Sequence, residues 1–186
     1  MAAFHESALG DLEWCRFDVW AIVQCAGVAT VEERQRDPCR EWLRLWNFGI
    51  TSIDGDKDVG KFSVELRRIL RWEEQFGYSP MPDRRSLDAL RDGFHFDVPK
   101  DGGHVLEITR PDLIWNQDEQ WLLGLLGIAS EYSRVQLAVG RKFFTVLVLP
   151  ERSHLVGTVF EQLRVPVPFR IAGPKGSEFL DADASQ

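Results

Sequence analysis

At 186 residues, 44% of them hydrophobic and seven of them Trp, the chain can bury one sizeable core without disulfides or metals to staple it. Its 22 Lys and Arg against 29 Asp and Glu give a formal net charge of -7. That balance argues against a nucleic-acid binder relying on a broad basic field and against adhesion to anionic lipid, while suiting a basic protein as partner.

Taken in chain order, 16-RFDVWAIVQC-25 alternates apolar residues at Phe17, Val19, Ala21 and Val23 and is expected to be a strand. A helix is expected over 37–46, with Asp37 as cap, Pro38 in the first turn and Cys39, Trp42 and Trp46 on one face. The stretch 49-GITSIDG-55 is a short strand ending in a turn. A second helix is expected from Lys61 to Phe76, with Phe62, Leu66 and Ile69 inward and Gly77 as its stop. Two prolines make 78-YSPMPD-83 a loop, and Ser86 is placed to cap a short helix that ends at Gly93.

After the turn residues 97-DVPKDGG-103 comes another short strand, 104-HVLEI-108. Residues 118–134 form the strongest helical pattern, with Trp121, Leu122, Leu125, Leu126 and Ala129 as its buried stripe. The nearly all-apolar 143-FFTVLVLP-150 is expected to be a strand covered on both faces. A short helix is expected within 155–165, then an extended 165-VPVPFRI-171 and a frayed tail over 173–186. Strands alternating with helices give an α/β fold class, a small and mostly parallel sheet packed by helices.

Few residues suggest chemistry. Cys15, Cys25 and Cys39 are odd in number and lack C-x-x-C spacing, so buried thiols in a reducing compartment are expected. The opening residues show no basic segment followed by an apolar run, and no apolar run reaches transmembrane length; a cytoplasmic location is the expectation. Asp54, Asp56, Asp58 and Glu65 match positions 1, 3, 5 and 12 of a calcium loop, but Val59 stands where that loop needs glycine. The preferred reading there is a strand-to-helix turn with acids near a helix start, and no metal or cofactor is expected. The four histidines are scattered, Glu107 has no obvious partner, and no enzyme signature is present, so no catalysis is expected.

The helix of 84-RRSLDALRDGF-94 raises a sharper question. Leu87 and Leu90 point inward, leaving Asp88 and Asp92 together on the outer face. Arg84 and Arg91 lie within ion-pair spacing of Asp88, and spacing alone favours a solvated face.

The order of segments carries a resemblance. The run 50-ITSIDG-55, 62-FSVELRRIL-70, 86-SLDALRD-92, 104-HVLEI-108, 122-LLGLLGIASEY-132 and 143-FFTVLVL-149 resembles the barstar family of ribonuclease inhibitors over roughly residues 50–150. The resemblance implies a barstar-like domain over 50–150. Residues 1–49 would be a strand-helix extension packed on it, and 151–186 a C-terminal extension. It implies an inhibitor or immunity protein of a toxin–antitoxin kind, which occludes the active site of a basic ribonuclease without touching nucleic acid or membrane. Asp88 and Asp92 would then stand where RNA phosphates bind, and Glu131 would contribute from the long helix. Departures from the family lie in the loop 78-YSPMPDRRS-86, which has no aromatic after Pro80, and at Arg91, where the namesake has an aromatic between its aspartates. These departures keep open a second expectation, a protein-interaction module of the same fold with a non-nuclease partner.

Overall fold

The computed structural model describes residues 17–56, 58–82, 85–160, 163–166 and 168. Four parallel strands form one sheet: β1 (Val28–Glu32), β2 (Phe48–Asp54), β3 (Gly103–Thr109) and β4 (Phe143–Leu149), in the order β1-β4-β3-β2. This is the small α/β fold expected from the alternation of strands and helices.

The chain crosses from β1 at one edge to β2 at the other through α2 (Arg36–Leu45), then steps back strand by strand. The return uses α3 (Val59–Ile69), α4 (Trp72–Phe76) and α5 (Leu87–Gly93) before β3. It then uses α6 (Pro111–Trp115) and α7 (Glu119–Ala138) before β4. Opposite directions of travel place the two helix sets on opposite faces, as right-handed crossovers require.

Two cores follow. On one face Phe62, Leu66, Leu90, Leu122 and Leu125 pack over Ile53, Leu106, Ile108 and Leu147. On the other, Phe17, Cys39 and Leu43 pack over Ala29, Val105, Phe144 and Val146. Successive residues of β4 therefore feed alternate cores, and all seven are buried. Its apolar run, interrupted only by Thr145, has this physical cause.

Four expectations are corrected. Asp37, expected to cap its helix, lies inside the first turn of α2, whose cap position is Gln35 and carries no side-chain cap bond. Residues expected as a first strand form a short helix, α1 (Phe17–Val19), that runs into a π-helical turn, Trp20–Gln24. Phe17, Ala21 and Ile22 share its buried side while Val23 is half exposed, so the alternation was a coincidence of a helical face. The strand itself starts after Ala26 and Gly27, both at positive φ. The helix expected over 61–76 breaks at Arg71, which is left-handed with φ 57°. The break turns Trp72 into the core, with the Arg67 guanidinium 4.8 Å from its ring centroid. Gly77, at φ 75°, ends the second piece as expected.

In place of a helix within 155–165, β5 (Val159–Phe160) and β6 (Leu163–Arg164) pair antiparallel. Gly157 N–H donates to the Val165 carbonyl and Val165 N–H to the Thr158 carbonyl, closing the hairpin. The Pro166 carbonyl accepts from Thr30 Oγ1 at 3.0 Å and ties the segment to β1. The tail over 173–186 lies outside the described residues, as does Cys15. Cys25 and Cys39 are buried thiols, and burial pushes both pKa values up to about 12.

The entries to β2 and β3 cross at close range. Gly102 has φ +85°, and a Cβ there would lie 2.0 Å from the Asn47 carbonyl oxygen. Gly102→Ala is expected to cost at least about 1–3 kcal/mol, through strain at positive φ plus the backbone clash. A urea midpoint unchanged from the parent would contradict this reading.

Candidate partner-binding surface

The acidic helix α5 is fixed to its surroundings at both ends and along its inner face. Ser86 caps it, its hydroxyl accepting from Ala89 N–H at 3.3 Å. The Ser86 carbonyl accepts from Arg67 Nη2 at 3.1 Å and the Arg85 carbonyl from Trp121 Nε1 at 3.1 Å. Leu87 sits so close to Gly124 of α7 that a Cβ on Gly124 would lie 2.3 Å from it. Leu90 is fully buried, and Gly93 packs against Trp72 and Phe76, a Cβ there meeting both rings at 2.8 Å. Gln75 Nε2 donates to the Gly93 carbonyl at 3.1 Å. A seven-residue helix is marginal in isolation; these contacts hold it.

The outer face carries the acids. Asp88 is 95% exposed, and Asp92 is exposed beside it. Arg91, between them in sequence, leans toward α7. Its Nε lies 3.3 Å from Glu131 Oε2 and its Nη1 3.8 Å from Asp88 Oδ1. Asp88, Arg91 and Glu131 are therefore one ion-pair chain across two helices, with Asp92 next to it on α5. Arg85 turns the other way, toward Asp118 at 3.3 Å. Arg84 is outside the described residues.

Apolar surface flanks the acids on both sides. Towards α4 lie the exposed Phe76, Tyr78 and Met81, beside a 330 Å³ depression that reaches Ala89 of α5. Towards α7 lies a shallower one, about 140 Å³, between Arg91, Glu131, Tyr132 and Val135, the last 54% exposed. Tyr132 is held by a two-way bond with the Phe96 backbone, donating to its carbonyl and accepting from its N–H, each at 3.0 Å. The loop before α5 thus offers an aromatic from before Pro80, Tyr78, packed against Trp72.

Two other acidic features resolve as structural. Arg110 pairs with Asp54, Nε to Oδ1 at 2.9 Å, and with Asp56 at 2.9 Å. That guanidinium's hydrogen bond holds the Asp54 carboxyl below its usual range. Asp58 caps α3 by accepting from Lys61 N–H at 3.0 Å. Asp54, Asp56 and Asp58 of the calcium-like stretch are thus engaged by a cation and a helix start. Glu107, for which the sequence offers no obvious partner, is buried at 3% exposure and held by Arg36, Arg40 and Ser52. The i, i+4 spacing of the two arginines on one helix was the only signal in the sequence.

Among the described residues, no helix is long and apolar enough to cross a membrane. Comparison with protein-family models, with curated proteins and with solved structures finds no match.

Proposed function

We propose that the chain is a barstar-like inhibitor or immunity protein, acting in the cytoplasm without catalysis, that occludes the active site of a basic ribonuclease through α5. The observation that carries this reading is the placing of Asp88 and Asp92 on the outer face of α5, a helix immobilised from beneath, with Glu131 of α7 beside them and paired to Arg91. Carboxylates fixed in that way suit the Arg, Lys and His groups with which a nuclease holds phosphate. The exposed apolar flanks at Tyr78, Met81 and Val135 supply what a charged ridge lacks, area that gains from leaving water. The element order strand, helices, acidic helix, strand, long helix, strand is the one that the family resemblance implies. The test is titration of the purified chain against a nuclease encoded beside it, with Asp88→Ala and Asp92→Ala variants. Unchanged inhibition by the double variant rejects the role of this helix.

Arg91 favours a second reading, an interaction module whose partner is not a nuclease. A guanidinium amid the acids is unfavourable against a purely cationic cleft and favourable against a mixed surface. Pull-down of a non-nuclease partner, insensitive to change at Asp88 and Asp92, would establish it.

A further inference from the structure

Away from α5, a cleft of about 460 Å³ opens at the carboxyl ends of the parallel strands. Its walls come from the ends of β2 (Asp54), β3 (Thr109) and β4 (Val148), and from the turn after β1 (Glu33). The chain leaves β1 toward the α2 face and leaves β3 toward the α6–α7 face, so connections diverge around this point. Divergence of that kind opens the crevice in which α/β sheets bind small ligands. The volume is in the range of small-molecule sites.

The lining chemistry is specific. Two guanidiniums, Arg36 and Arg110, face three carboxylates, Glu33, Asp54 and Asp112. Both arginines are held from behind. Arg36 donates Nε and Nη2 to Glu107, and Arg110 donates Nε and Nη2 to Asp54. Each keeps its Nη1 group uncommitted among the described residues. Asp112 accepts from Ser153 Oγ through Oδ1 at 2.5 Å and lies 3.5 Å from His154 Nδ1, while its buried Oδ2 finds no donor among the described residues. Leu113, Val148 and Pro150 complete the walls with apolar surface.

With Glu107 and Asp56 counted behind the two arginines, the lining is net acidic, which disfavours a dianion such as phosphate. It admits a ligand that offers an ammonium to the surplus carboxylates and a carboxylate to the uncommitted Nη1 edges. We propose that this cleft binds a small zwitterion of the α-amino-acid class, its carboxylate on the free edges of Arg36 and Arg110, its ammonium on Asp112, and an apolar side chain on Leu113 and Val148. The cleft shares no residue with the α5 surface, so this proposal stands or falls apart from the inhibitor reading.

The experiment is a nitrogen–proton NMR titration of the full chain with L-leucine, and separately with isoamylamine and 4-methylpentanoate, its two half-charged analogues. Leucine is expected to shift the amides of Thr109, Arg110 and Leu113 and to saturate in the millimolar range. Asp112→Asn and Arg110→Gln should each weaken it about ten-fold or more, as should removal of either charge from the ligand. The same spectra report whether each variant is folded, and the exposed Arg110→Gln serves if Asp112→Asn is not. Absence of leucine shifts at these amides, or equal binding of isoamylamine or 4-methylpentanoate, overturns the proposal.

Discussion

Glu107→Ala is expected to destabilise the protein by about 3 kcal/mol or more, the low end of what breaking a buried ion pair costs. Glu107 lies in the middle of β3 on the face that α2 covers. Its Oε1 accepts from Arg36 Nη2 at 2.9 Å, Arg40 Nη2 at 2.6 Å and Ser52 Oγ at 2.8 Å, and its Oε2 from Arg40 Nε at 2.9 Å. Removing the carboxylate leaves two partly buried guanidiniums with no counter-charge beneath α2. Both retain some contact with water, which is why the low end applies. A triple variant, Glu107→Met with Arg36→Leu and Arg40→Met, should be closer to the parent than Glu107→Ala alone, because no charge is stranded. Urea midpoints of the three proteins decide it; a triple variant as unstable as the single one would mean that packing, not the stranded charge, carries the loss.

The same group predicts an acid dependence. Burial pushes the Glu107 carboxyl up, but the hydrogen bonds from Arg40, Arg36 and Ser52 outweigh it and hold it below the usual glutamate range. A carboxyl whose folded pKa is depressed contributes stability that is complete above its unfolded pKa, about 4.3, and is lost as pH falls through the lower folded value. Glu107→Gln, which cannot ionise, should therefore lose stability at neutral pH and show a flatter decline in acid. Parallel midpoint-against-pH curves for parent and variant below about pH 4 would contradict that.

This node also marks what the sequence leaves unreadable. Glu107 and its arginines are far apart along the chain, and nothing in the strand 104-HVLEI-108 says which helix lies over it. Local signals did better. Ser86 and Asp118 both cap as their residue types suggest, and Gly77 adopts the left-handed stop that a Cβ would oppose. β4 was legible because both faces are buried and every position but Thr145 is apolar. β1 was not, because five residues, VATVE, offer little periodicity, while the helix before it alternates by chance. The break at Arg71 serves the packing of Trp72, a tertiary cause with no residue to announce it. At the surface, Asp88 and Asp92 were legible from spacing, whereas the swing of Arg91 to Glu131 depends on how α5 lies on α7.

That swing sets the terms of the remaining prediction. If a basic nuclease docks on α5, Asp88→Ala and Asp92→Ala should each cost about 2–5 kcal/mol of binding, on the order of 30- to several thousand-fold in Kd. Each would leave a cationic group of the enzyme buried without its carboxylate. The pair should lose less than the sum, since both face one cleft. Association should slow and its salt dependence weaken as the steering charge falls. Glu131→Ala acts differently, because Glu131 holds Arg91 away from the centre of the ridge. Freed from Glu131, Arg91 has Asp88 as its remaining partner, now at 3.8 Å, and closer pairing would mask that acid. Glu131→Ala should thus weaken binding in a protein that has Arg91 and do so less in an Arg91→Ala background. Equal losses in the two backgrounds would mean that Glu131 meets the enzyme directly.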